Sequence, residues 1–153
     1  MLIPDKCIVN LIRKHHVLTI ATASQNRPYC ANCFYIYLEK ENLFAFTSDK
    51  DTRHISEIMT NRHVAGTVFL ETNIIGKIQG LQFTGIISEP TTEMQKKIRL
   101  LYIKRFPAAV IMNTTFWVVE PLFIKMTDNK FGIGRKLLWE KGSDSVITDK
   151  HSV

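Results

Sequence analysis

The residues with the clearest chemical potential lie in one octapeptide, TSDKDTRH, at positions 47–54. It follows the apolar run LFAF and precedes ISEIMTN. A strand therefore ends in hydroxyls, passes through a polar turn and enters a short helix, with Arg53 and His54 in its first turn. Helix starts favour acids, because their free N–H groups leave a partial positive charge there. Cationic side chains at such a place suit a bound anion. Thr47, Ser48 and Thr52 bring uncharged donors, and Arg53 brings a planar fork matched to phosphate oxygens. The alternative is a neutral cap, in which Asp49 and Asp51 balance Lys50 and Arg53, and Asp51 or Thr52 caps the helix. The octapeptide alone supports both readings equally.

Other chemistry is sparse. No G-x-S-x-G, H-E-x-x-H or Walker motif occurs, and Gly132-Ile133-Gly134 is too little for a dinucleotide fingerprint. The five histidines, His15, His16, His54, His63 and His151, have no metal-site spacing. His15 and His16 read as the end of a helix, where a cation suits the negative pole. Cys30 and Cys33 form a C-x-x-C inside the alternating run YCANCFYIY. Residues three apart on a strand face opposite ways, so these read as ordinary thiols of a reducing cytoplasm, like Cys7, and not as a redox pair or zinc site.

The elements that must position these residues can be read from periodicity. Pro4 and Asp5 open a helix with a stripe at Ile8, Leu11, Ile12 and His15. VLTIATAS, YCANCFYIYLE and LFAFTS read as three consecutive antiparallel strands. TRHISEIMTN is a helix with Ile55, Ile58 and Met59 on one face. HVAGTVFLE is a strand, and residues 72–89 a long β stretch in which Gly76, Gly80 and Gly85 mark bulges or bends. Thr91 or Thr92 caps a helix with Ile98, Leu101, Tyr102 and Arg105 on its stripe, stopped by Pro107. TTFWVVEPLFIKMTD is strand-like, with Pro121 at an edge or bulge, and RKLLWEK is a last short strand. Strands outnumber helices and come in runs. The expected fold is mainly β (α+β): an antiparallel barrel of about six strands with helices covering its openings. One domain spans 1–141, followed by a polar tail over 142–153.

The 153 residues suffice for one core, and 45% apolar with 22% charged residues is a soluble composition. The net charge of +6 is moderate, and its densest stretch, QKKIRLLYIKRF, reads as a solvated helix face rather than a nucleic-acid stripe. No apolar run approaches the ~20 residues of a membrane span, and the charged N-terminus does not resemble a signal peptide. A cytoplasmic protein with neither nucleic-acid nor membrane partner is expected.

The order of CANCFY, TRH, VAGTV, IQGLQFTG, KRFP and FIKMTDNKFGIGRK, over residues 5 to about 140, resembles the FMN-binding split barrel of the pyridoxamine 5′-phosphate oxidase-like proteins. The match is closer to a small bacterial group among them, the YhbP-like proteins. The resemblance implies a homodimer of six-stranded antiparallel Greek-key split barrels with FMN in grooves between subunits. The isoalloxazine would lie along Ala31, Asn32, Cys33 and Phe34. Phe46, Thr47 and Ser48 would face the ribityl phosphate, with Thr52, Arg53 and His54 beside it. Gln82 would come from the partner subunit, and Arg135 and Lys136 from the last strand. Many members have lysine where His54 stands, so phosphate affinity is expected to vary with pH near ~6.5. RKLLWEK lacks the Arg–His substrate pair of the vitamin-processing oxidases, which argues against true pyridoxamine-phosphate oxidase activity. The lack of catalytic-looking side chains fits a flavoprotein, whose cofactor carries the redox chemistry while donors such as Asn32, Gln79 and Gln82 tune the ring. The expected function is a flavin-dependent oxidoreductase taking an unknown small molecule or electron donor. The alternatives are a flavin-binding sensor, or a haem-binding relative with His63 or His15 as axial ligand.

Overall fold

The computed structural model describes residues 3–131, 136–143 and 146–148. Arg135 falls outside them. Eight strands form one antiparallel sheet: β1 (Val17–Ser24), β2 (Arg27–Leu38), β3 (Leu43–Ser48), β4 (His63–Phe69), β5 (Gln79–Ser88), β6 (Thr115–Asp128), β7 (Lys136–Glu140) and β8 (Val146–Thr148). Their lateral order is β3-β2-β1-β4-β5-β6-β7-β8, and a further β3–β6 pairing closes the first six into a barrel. This is the expected fold. The β8 strand, paired with β7, lies within the segment expected as a polar tail.

Period-two alternation divides the strands cleanly. Leu18, Ile20, Cys33, Tyr35, Phe44, Phe46, Val64, Val68, Leu81 and Phe83 point into the barrel, where Trp117 and Trp139 also pack. Helix α1 (Lys6–Lys14) plugs one end with Ile8, Leu11 and Ile12. Asp5 caps it by accepting from the Cys7 N–H at 2.7 Å, and the Tyr35 hydroxyl donates to its Ile12 carbonyl at 2.5 Å. Helix α2 (Arg53–Ile58) plugs the other end with Ile55 and Ile58. Met59 does not join that stripe; the helix ends at Ile58 and Met59 is 69% exposed.

Helix α3 (Thr92–Arg105) lies on the barrel wall, not over an opening. Its Ile98 and Tyr102 cover the outward residues Ile36, Leu38, Ala45, Phe116 and Val118. Leu101, expected on that stripe, is 41% exposed, because two buried positions one turn apart suffice to seat the helix on a flat wall. No helix among the described residues is long and apolar enough to cross a membrane.

The long β stretch expected over 72–89 is shorter. Residues 75–77 form a 3-10 turn, and the strand begins at Gln79. Its glycines have different duties. The register of β5 against β6 shifts between Thr84 and Gly85, and Gly85 faces Pro121. A Cβ on Gly85 would lie 2.4 Å from the Glu120 carbonyl oxygen, whereas one on Gly76 would meet nothing within 4 Å. Gly85→Ala is therefore expected to cost about 1–3 kcal/mol, since main chain must shift, and Gly76→Ala to stay within about 0.5 kcal/mol. Urea denaturation midpoints of the two variants check the contrast.

Candidate functional site

The octapeptide ends β3 and starts α2, as its composition predicts, and the barrel closure carries it to one end of the molecule. Alternation along β3 sends its three expected site residues to different places. Phe46 is fully buried in the barrel core. Thr47 points outward, with its hydroxyl 3.4 Å from the Tyr102 hydroxyl. Ser48 points inward, and its carbonyl accepts from the Trp117 indole N–H at 3.1 Å. Only Ser48 joins Thr52 and His54 through side chains.

Those three form a closed hydrogen-bond network. Thr52 donates its hydroxyl proton to the Asp49 carbonyl at 2.9 Å. In the 3.1 Å contact between Ser48 and Thr52, Ser48 must then be the donor. The Ser48 proton is used there, so His54 Nε2, 2.8 Å away, carries the hydrogen that points at the Ser48 oxygen. This is the reverse of a histidine base activating a serine nucleophile, where the imidazole accepts. The pair is a positioning device.

The cations of the octapeptide are engaged, but not with the aspartates that sequence reasoning offered. Arg53 donates from Nε to Glu57 Oε1 at 2.8 Å, and its guanidinium lies over the Tyr29 ring, 4.4 Å from the centroid. Lys50 pairs with Glu89 at 3.1 Å. The aspartates are adjacent in sequence, but the helix geometry favours the i,i+4 partner and the barrel brings Glu89 alongside. Glu57 also accepts from the Thr22 hydroxyl at 2.6 Å. The bonds from Thr22 and Arg53 hold its carboxyl below the usual range. Thr52 stands at the N-cap of α2 but makes no side-chain cap bond. Arg53 is thus fixed by Glu57 and Tyr29, and neither of its Nη groups has a hydrogen-bond partner among the described residues.

His54 is buried, and burial pushes its pKa below the ordinary 6.5; the Glu57 carboxylate opposes this only in part. The ring is neutral at pH 7, so it does not replace the permanent cation of many split-barrel proteins, and the pH window expected near ~6.5 moves to lower pH.

The residues expected along the ring belong to β2. Ala31 and Cys33 turn inward, and burial raises the Cys33 thiol to about 11. Cys30, Asn32 and Phe34 face outward, so the C-x-x-C spans both faces of the sheet. Among the described residues no group of three His, Cys, Asp or Glu could hold a metal. Asn32 accepts from Thr19 at 2.7 Å, which leaves its amide N–H groups to donate elsewhere. Tyr102 donates to the Phe34 carbonyl at 3.1 Å, tying β2 to α3. Asn32, Thr19, Thr67, Gln82 and Lys125 stand in one lateral row across β2, β1, β4, β5 and β6. Three strand spacings of ~4.8 Å put Gln82 roughly 14 Å from Asn32 in the same chain. Gln79 is not with them; it donates to the buried Asp128 at the α1 end of the barrel. Lys136 opens β7 opposite Thr127.

Several supports were not anticipated from sequence. Glu57 was legible as the i,i+4 partner of Arg53. Tyr29, Thr22, Trp117 and Tyr102 reach the site only through sheet register and helix docking, which leave no local signal.

A closed six-stranded antiparallel barrel with helices at its ends and on one wall is a split-barrel fold. A pyridoxamine 5′-phosphate oxidase-related, FMN-binding protein of Nostoc punctiforme superposes with a TM-score of 0.75 over 97% of this chain and 98% of that one, at 11% identity. A haem-binding protein of Mycobacterium smegmatis superposes with a TM-score of 0.73 over 91% of this chain and 60% of that one, at 12% identity. At such identities the likeness is one of fold. No family model matches the chain. A UPF0306 protein of Photorhabdus laumondii, however, is 37% identical over 130 residues, 85% of this chain and 91% of that protein. The chain belongs to the UPF0306 family, in keeping with the YhbP-like resemblance.

The neutral, buried His54 has a measurable consequence. The unfolded chain takes up its proton first, near pH 6.5, so protonation favours unfolding. Stability is expected to fall as pH drops below about 6.5, and His54→Gln to remove that part of the slope. Glu57 contributes in the same sense but lower on the pH scale, because its depressed carboxyl gives up its contribution only as pH falls through the usual carboxylate range. Urea midpoints of both proteins between pH 5 and 8 isolate the histidine effect.

Proposed function

We propose that the chain binds FMN and acts as a flavin-dependent oxidoreductase on a small molecule. The observation that carries this reading is Arg53, locked by Glu57 and Tyr29 with its Nη groups free beside the Ser48–Thr52–His54 network. A guanidinium already oriented loses little freedom on taking a phosphate, which strengthens a charge-assisted contact. Tyr29 and Asn32 are three residues apart on β2, about 10 Å at strand rise. The two side chains lie on opposite faces of the sheet, so a ligand with its phosphate at Arg53 and its ring beside Asn32 would have to pass around the barrel end over at least that distance. The fold likeness to an FMN-binding protein supports the same cofactor.

In this reading the flavin, when bound, supplies the hydride and electron chemistry. The protein grips, orients and shields. Arg53 holds the phosphate, the hydroxyl network keeps the α2 start in place beneath it, and the Asn32 amide donates to the ring edge. Gln82 lies too far along its own sheet to meet Asn32. It meets the partner's ring if two copies pack face to face, which is the homodimer we propose. The bare outer face supports that packing: Val17, Phe34, Phe69 and Phe123 are exposed on it, among the small residues Ala21, Ala65 and Thr84. A sheet face with this many exposed apolar side chains, with Lys125 as a charge in its central row, is suited to an interface.

A second reading has one observation behind it. His63 lines an outer groove of about 420 Å³ floored by Ala21, Ala65, Thr84 and Gly85, open enough for a planar group such as haem. The fold likeness to a haem-binding protein points the same way.

The visible spectrum of purified protein separates the two, with flavin bands near ~370 and ~450 nm expected and a Soret band favouring haem. Protein that stays colourless after FMN is added would sink the flavin reading. Arg53→Ala is expected to weaken FMN binding by about 1.5–3 kcal/mol in a fluorescence titration; unchanged affinity removes Arg53 from the site. Light scattering is expected to give twice the 17.6 kDa chain mass.

A further inference from the structure

At the end of the barrel opposite α2, a cleft of about 210 Å³ opens between one face of α1 and the β5–β6 ends. Its volume is roughly that of seven waters at ~30 Å³ each. Lys14 and His15 line it from α1, Gln79 and Asp128 from the strand ends, and Lys130 from the turn after β6. Leu11 and Met126 form its apolar floor.

The charges in this cleft do not cancel. Asp128 is buried, and its carboxylate already accepts twice, from Gln79 Nε2 at 2.5 Å and from the Lys130 backbone N–H at 3.0 Å. Cys7 contributes no anion; burial and the nearby Asp5 and Asp128 hold its thiol protonated. His15 contributes no cation, since burial and the neighbouring Lys14 and His16 lower its pKa. Hydrogen bonds from neutral donors leave Asp128 its one negative charge, and against it stand two ammonium groups, Lys14 and Lys130, which come from two different elements and have no salt-bridge partner among the described residues. Of the arginines near this end, Arg13 pairs with Glu39, and Arg105 donates to the Arg13 carbonyl at 2.9 Å.

We propose that this cleft binds a small oxyanion, a carboxylate- or phosphate-bearing metabolite held between Lys14 and Lys130 over the Leu11–Met126 floor. Asp128 positions the rim: it fixes the Gln79 amide and the turn that carries Lys130. The site stands at the far end of the barrel from Arg53 and is independent of the flavin reading.

The test uses the full chain, titrated with inorganic phosphate and separately with sodium L-lactate, each against sodium chloride of matched ionic strength. Backbone amide resonances of Asn10, Lys14 and Gln79 are followed by NMR. Saturable shifts with either probe are expected, and the probe that saturates identifies the oxyanion class. The Lys14→Ala/Lys130→Ala double variant is expected to weaken that binding by about tenfold or more. Both side chains are exposed, so the fold should survive, and an unchanged amide spectrum elsewhere verifies it. Shifts no larger than those with chloride, or equal affinity in the double variant, would overturn the proposal.

Discussion

Strand β6 serves two neighbours along one edge, and the rest of the molecule depends on that division. Its first half pairs with β3, from Thr115 to Val119, and its second half pairs with β7, from Phe123 to Thr127. Pro121 sits in the gap between the two partners, where a missing N–H is cheap. Gly85 opposite it lets the backbones approach and the register slip. The first pairing closes the barrel, and the second adds β7, whose Trp139 packs into the same core. Ser48 is brought against Thr115 at the closed seam, where the Trp117 indole secures its carbonyl. The candidate phosphate end is therefore a product of a contact between residues nearly 70 positions apart.

Closure also gives the alternating pattern three destinations. Inward residues build the barrel core. Outward residues of β2, β3 and β6 lie under α3, in a second smaller cluster. Outward residues of β1, β4 and β5 have no cover among the described residues, and apart from His63 and Gln82 they are small or apolar where a solvent face is usually charged. One sheet thus carries a structural wall and a bare wall, with Asn32 and Phe34 at the boundary and Tyr102 bonded to the Phe34 carbonyl there.

The electrostatics follow the same economy. Most basic groups near the core's ends are held by a carboxylate, a carbonyl or a ring, so the net charge of +6 is not spread evenly. Arg53 is oriented but not exhausted, because only its Nε is used. His54 is spent as a neutral donor to Ser48. Fixed partners beneath a partly free cation make a preorganised grip, which costs less on binding than a mobile side chain.

Periodicity in the sequence determined the strands, the three helices and the class of fold, because alternation and capping are local and each residue's neighbours suffice to express them. The Asp5 cap, the bulge glycine Gly85 and the placement of Arg53 and His54 at a helix start were all legible in this way. Residues 72–78 misled, since β-branched composition does not report a turn that Asn129 holds from across the chain by bonding the Ile75 and Ile78 carbonyls. The charge state of His54, the separation of Phe46, Thr47 and Ser48, and the placing of Lys14 and Lys130 on one cleft were decided by tertiary structure alone. Each depends on burial or on register between distant strands, and neither quantity exists until the barrel has closed.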